Sequence, residues 1–387
     1  MNEALDLTKE LVKCMTVTPN NDGSMQIVEN FLKNIGFETN VFESANPDGW
    51  NVNNLYASFG SGNIKLAFVG HLDVVPVGDI LKWDSNPFDP VENGELLKGR
   101  GVADMKAAIA CFLSATKEFI AEHGDNFPGS IVFMITGDEE EGSPQGTRSL
   151  INWCIKNNKM PDYCLIGEPT CRDSIGQAIN IGRRGSINFT VKSTGVQGHV
   201  AYPEFGSNAI DPLISFLNTL MSKKWDVTNE KFPPTSLEIT SISVDNEATN
   251  IIPGNAEARF NIRYNDSYDS NTLTRMFQDM AALISPHLTI EALQSGAPFI
   301  CEEEKLINPL RDSIQDVTGI IPELSTSGAT SDGRFLINYC PVIEFGMPYN
   351  TIHKENESIK LSDIEKLTAI YKTFLSKFFF KDTKDNV

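Results

Sequence analysis

Ile64-Lys-Leu-Ala-Phe-Val-Gly-His-Leu-Asp73 opens on a short apolar run, Ile64 to Val69, and closes on an imidazole and a carboxylate. A run that is apolar at successive positions, rather than at every second one, suits a strand covered on both faces. Ile131 to Ile135 and Tyr163 to Ile166 are runs of the same kind. Between the first two, a stretch from about Asp104 to His123 presents Ala108, Cys111, Phe112, Ala115 and Phe119 on one side of a helix that stops at Gly124. Upstream, Ser24 reads as the N-cap of a helix carrying Ile27, Val28, Phe31, Leu32 and Ile35, with Gly36 as its stop. Buried strands alternating with helices predict an α/β fold around a mostly parallel sheet.

The pattern changes near residue 185. From Ser186 to Ser193, Ile187, Phe189 and Val191 alternate with Asn188, Thr190 and Lys192, which marks a sheet wetted on one face. A helix through Ile210, Leu213, Ile214, Leu217, Leu220 and Met221 follows, then a strand from Leu237 to Val244 whose alternation slips near Ser241. A strand over 256–264, a helix over 271–284 and a strand over 288–293 complete the order β-α-β-β-α-β, a ferredoxin-like α+β unit. Residues 182–295 are therefore expected to form an inserted domain, and 1–181 with 296–387 a discontinuous catalytic domain closed by the run Pro341 to Phe345 and a terminal helix.

The 387 residues carry a formal charge of −19, 41% hydrophobic and 21% charged side chains. That composition is globular, and the acidic excess without a basic run argues against nucleic acid or an anionic membrane as partner. The first residues lack a basic start followed by an uninterrupted apolar stretch, and no apolar run approaches the roughly 20 residues of a membrane span, so a soluble chain made without a secretion signal is expected. Seven cysteines without a C-x₂₋₄-C pair fit reduced thiols and point to the cytoplasm. A metal would then be held by imidazole and carboxylate.

Polar residues gather where the apolar runs end. One run delivers His71 and Asp73, the next Asp138 to Glu141, the third Glu168, and Pro341 to Gly346 is followed by His353. In an open α/β sheet a ligand sits beyond the carboxyl ends of the strands, so these residues are expected at one site. Each has an ordinary alternative: a lone His is more often a satisfied side chain, and an acidic run a solvated helix start. His123 and His287 follow no such strand and are assigned to structure. Two imidazoles with several carboxylates form a donor set suited to zinc or another late divalent ion. Asp104, expected to open a helix, has two oxygens that could bridge two ions. Asp73 stands two residues past His71, where its carboxylate could orient the imidazole, and one acid of the 138–141 run could stay free as a general base.

Five ordered motifs resemble the M20 di-zinc peptidase and deacylase family: Gly70-His-Leu-Asp-Val-Val-Pro76, Gly99-Arg-Gly-Val-Ala-Asp-Met-Lys106, Thr136-Gly-Asp-Glu-Glu-Glu-Gly142, Gly167-Glu-Pro-Thr170 and Thr351-Ile-His-Lys-Glu-Asn-Glu357. The resemblance implies two Zn2+ ions, or Co2+, one held by His71, Asp104 and Glu168, the other by Asp104, Glu140 and His353. It implies Glu139 as general base, and a homodimer formed through an inserted lid and dimerisation domain.

Within the family, Gly182-Arg-Arg-Gly-Ser186, Gly198-His-Val-Ala-Tyr-Pro203 and Thr326-Ser-Gly-Ala-Thr-Ser-Asp-Gly-Arg-Phe335 resemble the branch that cleaves N-succinyl-LL-2,6-diaminopimelate. That likeness implies Arg183, Ser186, Tyr202, Asn250, Arg263, Thr330 and Arg334 as substrate contacts, with His199 stabilising the oxyanion across the dimer. Tyr349 and Ala329 depart from the relatives' Asn and Gly. Rival expectations are an acetylornithine deacetylase-like N-acyl-amino-acid deacylase or carboxypeptidase on the same centre, and, from another class, a non-catalytic dimeric metal-binding protein.

Overall fold

The computed structural model describes residues 2–45, 49–140, 145–226 and 229–380. The chain divides into two compact units, one of Met1–Ile181, Cys301–Ser325 and Ser331–Val387, the other of Gly182–Ile300 with Thr326–Thr330. The sequence pattern instead placed the second boundary at 295/296 and left 326–330 with the first unit. The difference has two local causes. Gly182–Arg183 pairs antiparallel with Phe299–Ile300, which carries the insertion past residue 296. Thr326 Oγ1 donates to the Lys231 carbonyl at 2.6 Å and Arg183 Nη1 to the Ser327 carbonyl at 3.0 Å, holding 326–330 to the second unit.

In the first unit eight strands form one sheet in the order Glu38–Ala45, Asn51–Phe59, Gly129–Thr136, Ile64–His71, Tyr163–Ile166, Val342–Glu344, Ala178–Asn180, Glu323–Ser325. The strands from Gly129–Thr136 to Val342–Glu344 run parallel, and antiparallel pairings join them to both flanks. Ile64–His71 explains its own composition. Phe68 stacks on Phe112 of the helix Ala107–His123 at 4.3 Å between centroids and meets Tyr371 of the helix Leu361–Phe380 edge-on at 5.9 Å. On the other face Ala67 and Val69 pack with Val132, Met134, Cys164 and Ile166 against Leu150, Ile151 and Cys154 of the helix Gly146–Asn157. Helices on both faces leave residues 66–69 no position for a polar side chain, while Lys65 stands at the half-buried start of the strand.

Two strands go unannounced by the sequence and two local expectations change. The strands Glu38–Ala45 and Asn51–Phe59 escape the apolar-run criterion because the outer one alternates between exposed and half-buried positions. The N-cap of the helix Ser24–Asn34 is Gly23, at φ +75°, and Ser24 is its first residue; the left-handed turn there favours glycine over an L residue. The third helix begins at Ala107 rather than Asp104, because Asp104 (φ −125°, ψ 94°) and Met105 (φ −132°, ψ 28°) are non-helical.

The second unit is a four-stranded antiparallel sheet in the order Ser236–Ser243, Asn255–Tyr264, Gly185–Thr194, Leu288–Gly296. The register of Ser236–Ser243 shifts between Ile239 and Ser241, where the apolar alternation slips. Phe189 and Phe260 stack at 5.0 Å and pack with Phe216, Leu213 and Leu217 of the helix Ile210–Ser222 and with Phe277 and Leu273 of the helix Ser270–Ile284. Among the described residues no helix is long and apolar enough to cross a membrane.

Candidate metal centre

Three neighbouring parallel strands set the site. Ile64–His71 ends on His71, Gly129–Thr136 leads into Asp138, Glu139 and Glu140, and Tyr163–Ile166 leads into Glu168. Ile64–His71 lies between the other two in the sheet, so the acids flank the imidazole. Glycine precedes both His71 and Glu168 for a steric reason. A Cβ on Gly70 or on Gly167 would come within 2.6 Å of the Met105 methyl, so the two glycines together make the notch that receives Met105. Seating Met105 there carries Asp104 over the strand ends.

Asp104 is the centre of the cluster. Its Oδ1 lies 3.3 Å from Nε2 of His71, and its Oδ2 lies 3.3 Å from Nε2 of His353. His71 Nε2 is also 3.6 Å from a Glu168 oxygen, and His353 Nε2 is 3.0 Å from a Glu140 oxygen. One ligand atom each from His71, Asp104 and Glu140, and one each from His71, Glu139 and Glu168, come within 4.8 Å of one another. Glu141, the last acid of the run, lies outside the described residues.

The donor set fits divalent metal. His71 Nδ1 lies 3.0 Å from the Asp73 carbonyl, an acceptor, so Nδ1 carries a hydrogen and Nε2 is the nitrogen that faces Asp104. Asp104 Oδ1, itself an acceptor, is buried and makes no hydrogen bond. Without metal a proton on Nε2 answers the Asp104 carboxylate across 3.3 Å; a divalent ion replacing that proton would take Nε2 and Oδ1 as ligands. The electrostatics agree. Burial opposes a charge on His71, yet the Asp104, Asp73 and Glu168 carboxylates outweigh it and hold its pKa well above the usual value. Contacts with Asp104 and Glu140 raise His353 to about 10. Desolvation, together with Asp332 and Glu168, pushes Glu139 well up. A site that draws protons this strongly is short of positive charge, and bound divalent ions supply it.

Asp73 acts differently from expectation. Its carboxylate is 3.6 Å from His71 Nδ1, farther than its own carbonyl. The carboxylate instead accepts the backbone N–H of Glu139 at 3.1 Å and of Glu140 at 2.9 Å, and so holds the acidic turn; burial raises its pKa to about 7. Asp138 accepts the N–H groups of Gln145 at 2.7 Å and Gly146 at 2.8 Å, capping the next helix rather than facing the metal ligands. Sequence reasoning missed two further carboxylates. Asp332, buried and accepting from Thr147 at 2.5 Å, adds negative charge near Glu139. Glu357 is buried against the Asp104 turn. The only advance signal for either was a carboxylate inside an otherwise recognisable motif.

The expected substrate residues fall into separate groups. In the second unit Arg263 donates to Thr330 Oγ1 at 2.8 Å and to Asn261 at 2.9 Å, while Asn261 donates to Ser186 Oγ at 3.1 Å. This joins Ser186, Arg263 and Thr330 through a residue that the sequence did not single out. Arg183 is anchored to the Ser327 carbonyl. His199, Tyr202 and Asn250 form another group: the His199 and Tyr202 rings lie 5.8 Å apart, and Val200 N–H donates to the Asn250 carbonyl at 3.1 Å. His199 is exposed, and its Nδ1 accepts the Ala201 N–H at 3.1 Å, leaving Nε2 as a hydrogen-bond donor. Arg334 belongs to the first unit, stacked over Phe335 at 4.5 Å and 4.0 Å from Asp332.

Residues 67–377 match the profile of peptidase family M20/M25/M40. The chain is 43% identical over 378 residues to the succinyl-diaminopimelate desuccinylase of Ehrlichia canis (strain Jake), covering 97% of this chain and 98% of the relative. It is 44% identical over 372 residues to the protein of the same name from Rhizorhabdus wittichii, covering 96% and 97%. In fold it is similar to an M20-family metallo-carboxypeptidase from Sulfolobus solfataricus, with a TM-score of 0.79 at 18% identity and coverage of 98% and 99%.

Proposed function

The chain belongs to peptidase family M20/M25/M40, and from that membership we propose that it is a two-metal amide hydrolase converting N-succinyl-LL-2,6-diaminopimelate and water to LL-2,6-diaminopimelate and succinate, in diaminopimelate and lysine biosynthesis. The observation that carries the chemistry is the pair of 3.3 Å approaches of His71 and His353 to opposite oxygens of Asp104. The choice of acyl group rests on the near-full-length relatives.

His71, Asp104 and Glu168 would hold one ion, and Asp104, Glu140 and His353 the other. Bound there, zinc, or cobalt in its place, supplies Lewis acidity and a water of lowered pKa. Glu139 takes a proton from the attacking water and returns it to the amide nitrogen as the C–N bond breaks. Desolvation and the neighbouring acids raise its proton affinity, which suits the first half of that task. His199, with Nε2–H free to donate, supports the oxyanion from the partner chain of a homodimer built through the inserted unit. The substrate carries three carboxylates, and Arg183, Arg263 and Arg334 are suited to pair with them, with Ser186, Tyr202, Asn250 and Thr330 as polar contacts. Seven free, buried thiols support a reducing compartment, the cytoplasm.

The test is steady-state hydrolysis of succinyl-diaminopimelate after reconstitution with zinc, beside acetylornithine and a dipeptide. The succinyl substrate is expected to give the highest kcat/KM. Faster turnover of acetylornithine or the dipeptide would replace the acyl assignment, and no amide hydrolysis by the zinc-loaded protein would sink the enzymatic one.

A further inference from the structure

We propose that the buried Arg100–Glu357 pair is a positioning clasp that sets the separation of Asp104 and His353, and with it the seat of the ion those two residues share; this rests on the two-metal reading above. The pair lies against an irregular turn. Because Asp104 and Met105 are non-helical, the N–H groups before the helix that starts at Ala107 lack the usual intrahelical acceptors. The Glu357 carboxylate supplies them. Its Oε1 accepts from Ala103 N at 2.8 Å and Asp104 N at 3.3 Å; its Oε2 accepts from Gly101 N at 2.9 Å and Arg100 Nη1 at 2.8 Å. A carboxylate holding three backbone N–H groups and a guanidinium fixes the path of the turn that carries the bridging ligand.

The same carboxylate sits in the His353 segment, four residues beyond that imidazole. Arg100 extends the link: Nη1 also donates to the Lys354 carbonyl at 3.2 Å and Nη2 to the Pro76 carbonyl at 3.1 Å, with the guanidinium 5.2 Å from the Trp83 ring centroid. Both side chains are 1% exposed. Pro76 lies three residues past Asp73, so one guanidinium, on the segment that leads into the Asp104 turn, bonds both the exit of the His71 strand and the His353 loop. Neither Arg100 nor Glu357 approaches the gap between Asp104 and the imidazoles as a ligand; they act through the residues that do.

Glu357→Gln tests this because the amide retains one acceptor and turns N–H groups toward Gly101 N and Arg100. Arg100→Lys keeps the charge but loses the fork that spans three acceptors, and it serves where the first variant folds poorly. Zinc binding to the chelator-treated protein would be followed by titration calorimetry, the visible spectrum recorded with cobalt, and kcat and KM measured separately. Because Glu357 ties the Asp104 turn to the His353 segment, the ion those two share is expected to weaken by roughly 10–100-fold, clearly more than the ion held with His71 and Glu168, with an altered cobalt spectrum and a lower kcat at similar KM. A purely structural pair would lower the melting temperature and leave the ion affinities and cobalt spectrum of the folded variants unchanged; that result overturns the clasp. Equal weakening of both ions also overturns it. Wild-type protein that takes up two ions beside unaffected variants separates failure of the clasp from failure of the reading beneath it, whereas wild type taking up fewer than two overturns both.

Discussion

The Asp73 carboxylate accepts the backbone N–H of Glu140 at 2.9 Å, and of Glu139 at 3.1 Å, so the residue two places after the first imidazole holds the turn that presents the base and a ligand. Asp73→Asn removes one of those acceptors and points an amide N–H at another N–H. Turnover is expected to fall by roughly 10–100-fold, with the loss mainly in kcat, since the turn rather than a substrate contact is disturbed. Steady-state kinetics at saturating zinc check this; a loss confined to KM would refute a role in holding the turn.

Glu139→Gln preserves size and the hydrogen bond from the Glu139 N–H to Asp73, which is a backbone contact, while removing the proton acceptor. Zinc stoichiometry is expected to match wild type and kcat to fall by about 10²–10⁴-fold, the usual worth of a general base. Near-normal turnover in a zinc-loaded variant would remove Glu139 from that role.

The sheet was legible because residues 66–69, 131–135 and 164–166 are buried, and a strand covered on both faces writes its position into an apolar run that ends where the polar residues begin. His71, Glu140 and Glu168 follow from those run ends. The turn before Ala107 was not legible. Its residues fit a helical pattern, and the departure lies in the dihedrals of Asp104 and Met105, which no periodicity records. Asp73 was read as the imidazole's partner from a spacing of two, but the backbone carbonyl is nearer the ring than the carboxylate is. Glu357 was hidden for a different reason: its partner Ala103 is 254 positions away, and only the tertiary fold brings them together.

His199 gives a test that separates action within a chain from action across a dimer. His199→Ala is expected to lower kcat by about 10²–10³-fold with zinc content unchanged, because the residue lies in the unit that holds none of the metal ligands. Mixed with Glu139→Gln chains and allowed to exchange subunits, it forms heterodimers in which one site pairs an intact Glu139 with the partner chain's intact imidazole. Activity is then expected to recover to about one quarter of wild type, since half the dimers are mixed and each carries one complete site. No recovery after verified exchange would rule out the contribution across the dimer.

The thiols give a stability prediction independent of the metal centre. Burial pushes Cys111 from 9.0 up to about 12, and burial does the same to Cys154. For an acid whose folded pKa is raised, the folded and unfolded chains bind equal numbers of protons below pH 9. As pH rises from 9 toward 12, the unfolded chain releases a proton that the folded chain keeps, so folding is progressively disfavoured. Each such thiol should add about 1.4 kcal/mol of destabilisation per pH unit within that window. Cys111→Ala removes one thiol's share, and its urea midpoint should therefore fall less steeply than wild type between pH 9 and 10.5, after allowing for the lost contact of the sulfur with the Ile364 carbonyl at 3.5 Å. Native protein at pH 8 should also leave Cys111 unmodified by a thiol reagent that labels it fully in urea. Identical alkaline slopes for the two proteins, or rapid labelling of native Cys111, would show that this thiol is not held in the protonated, desolvated state that its packing requires.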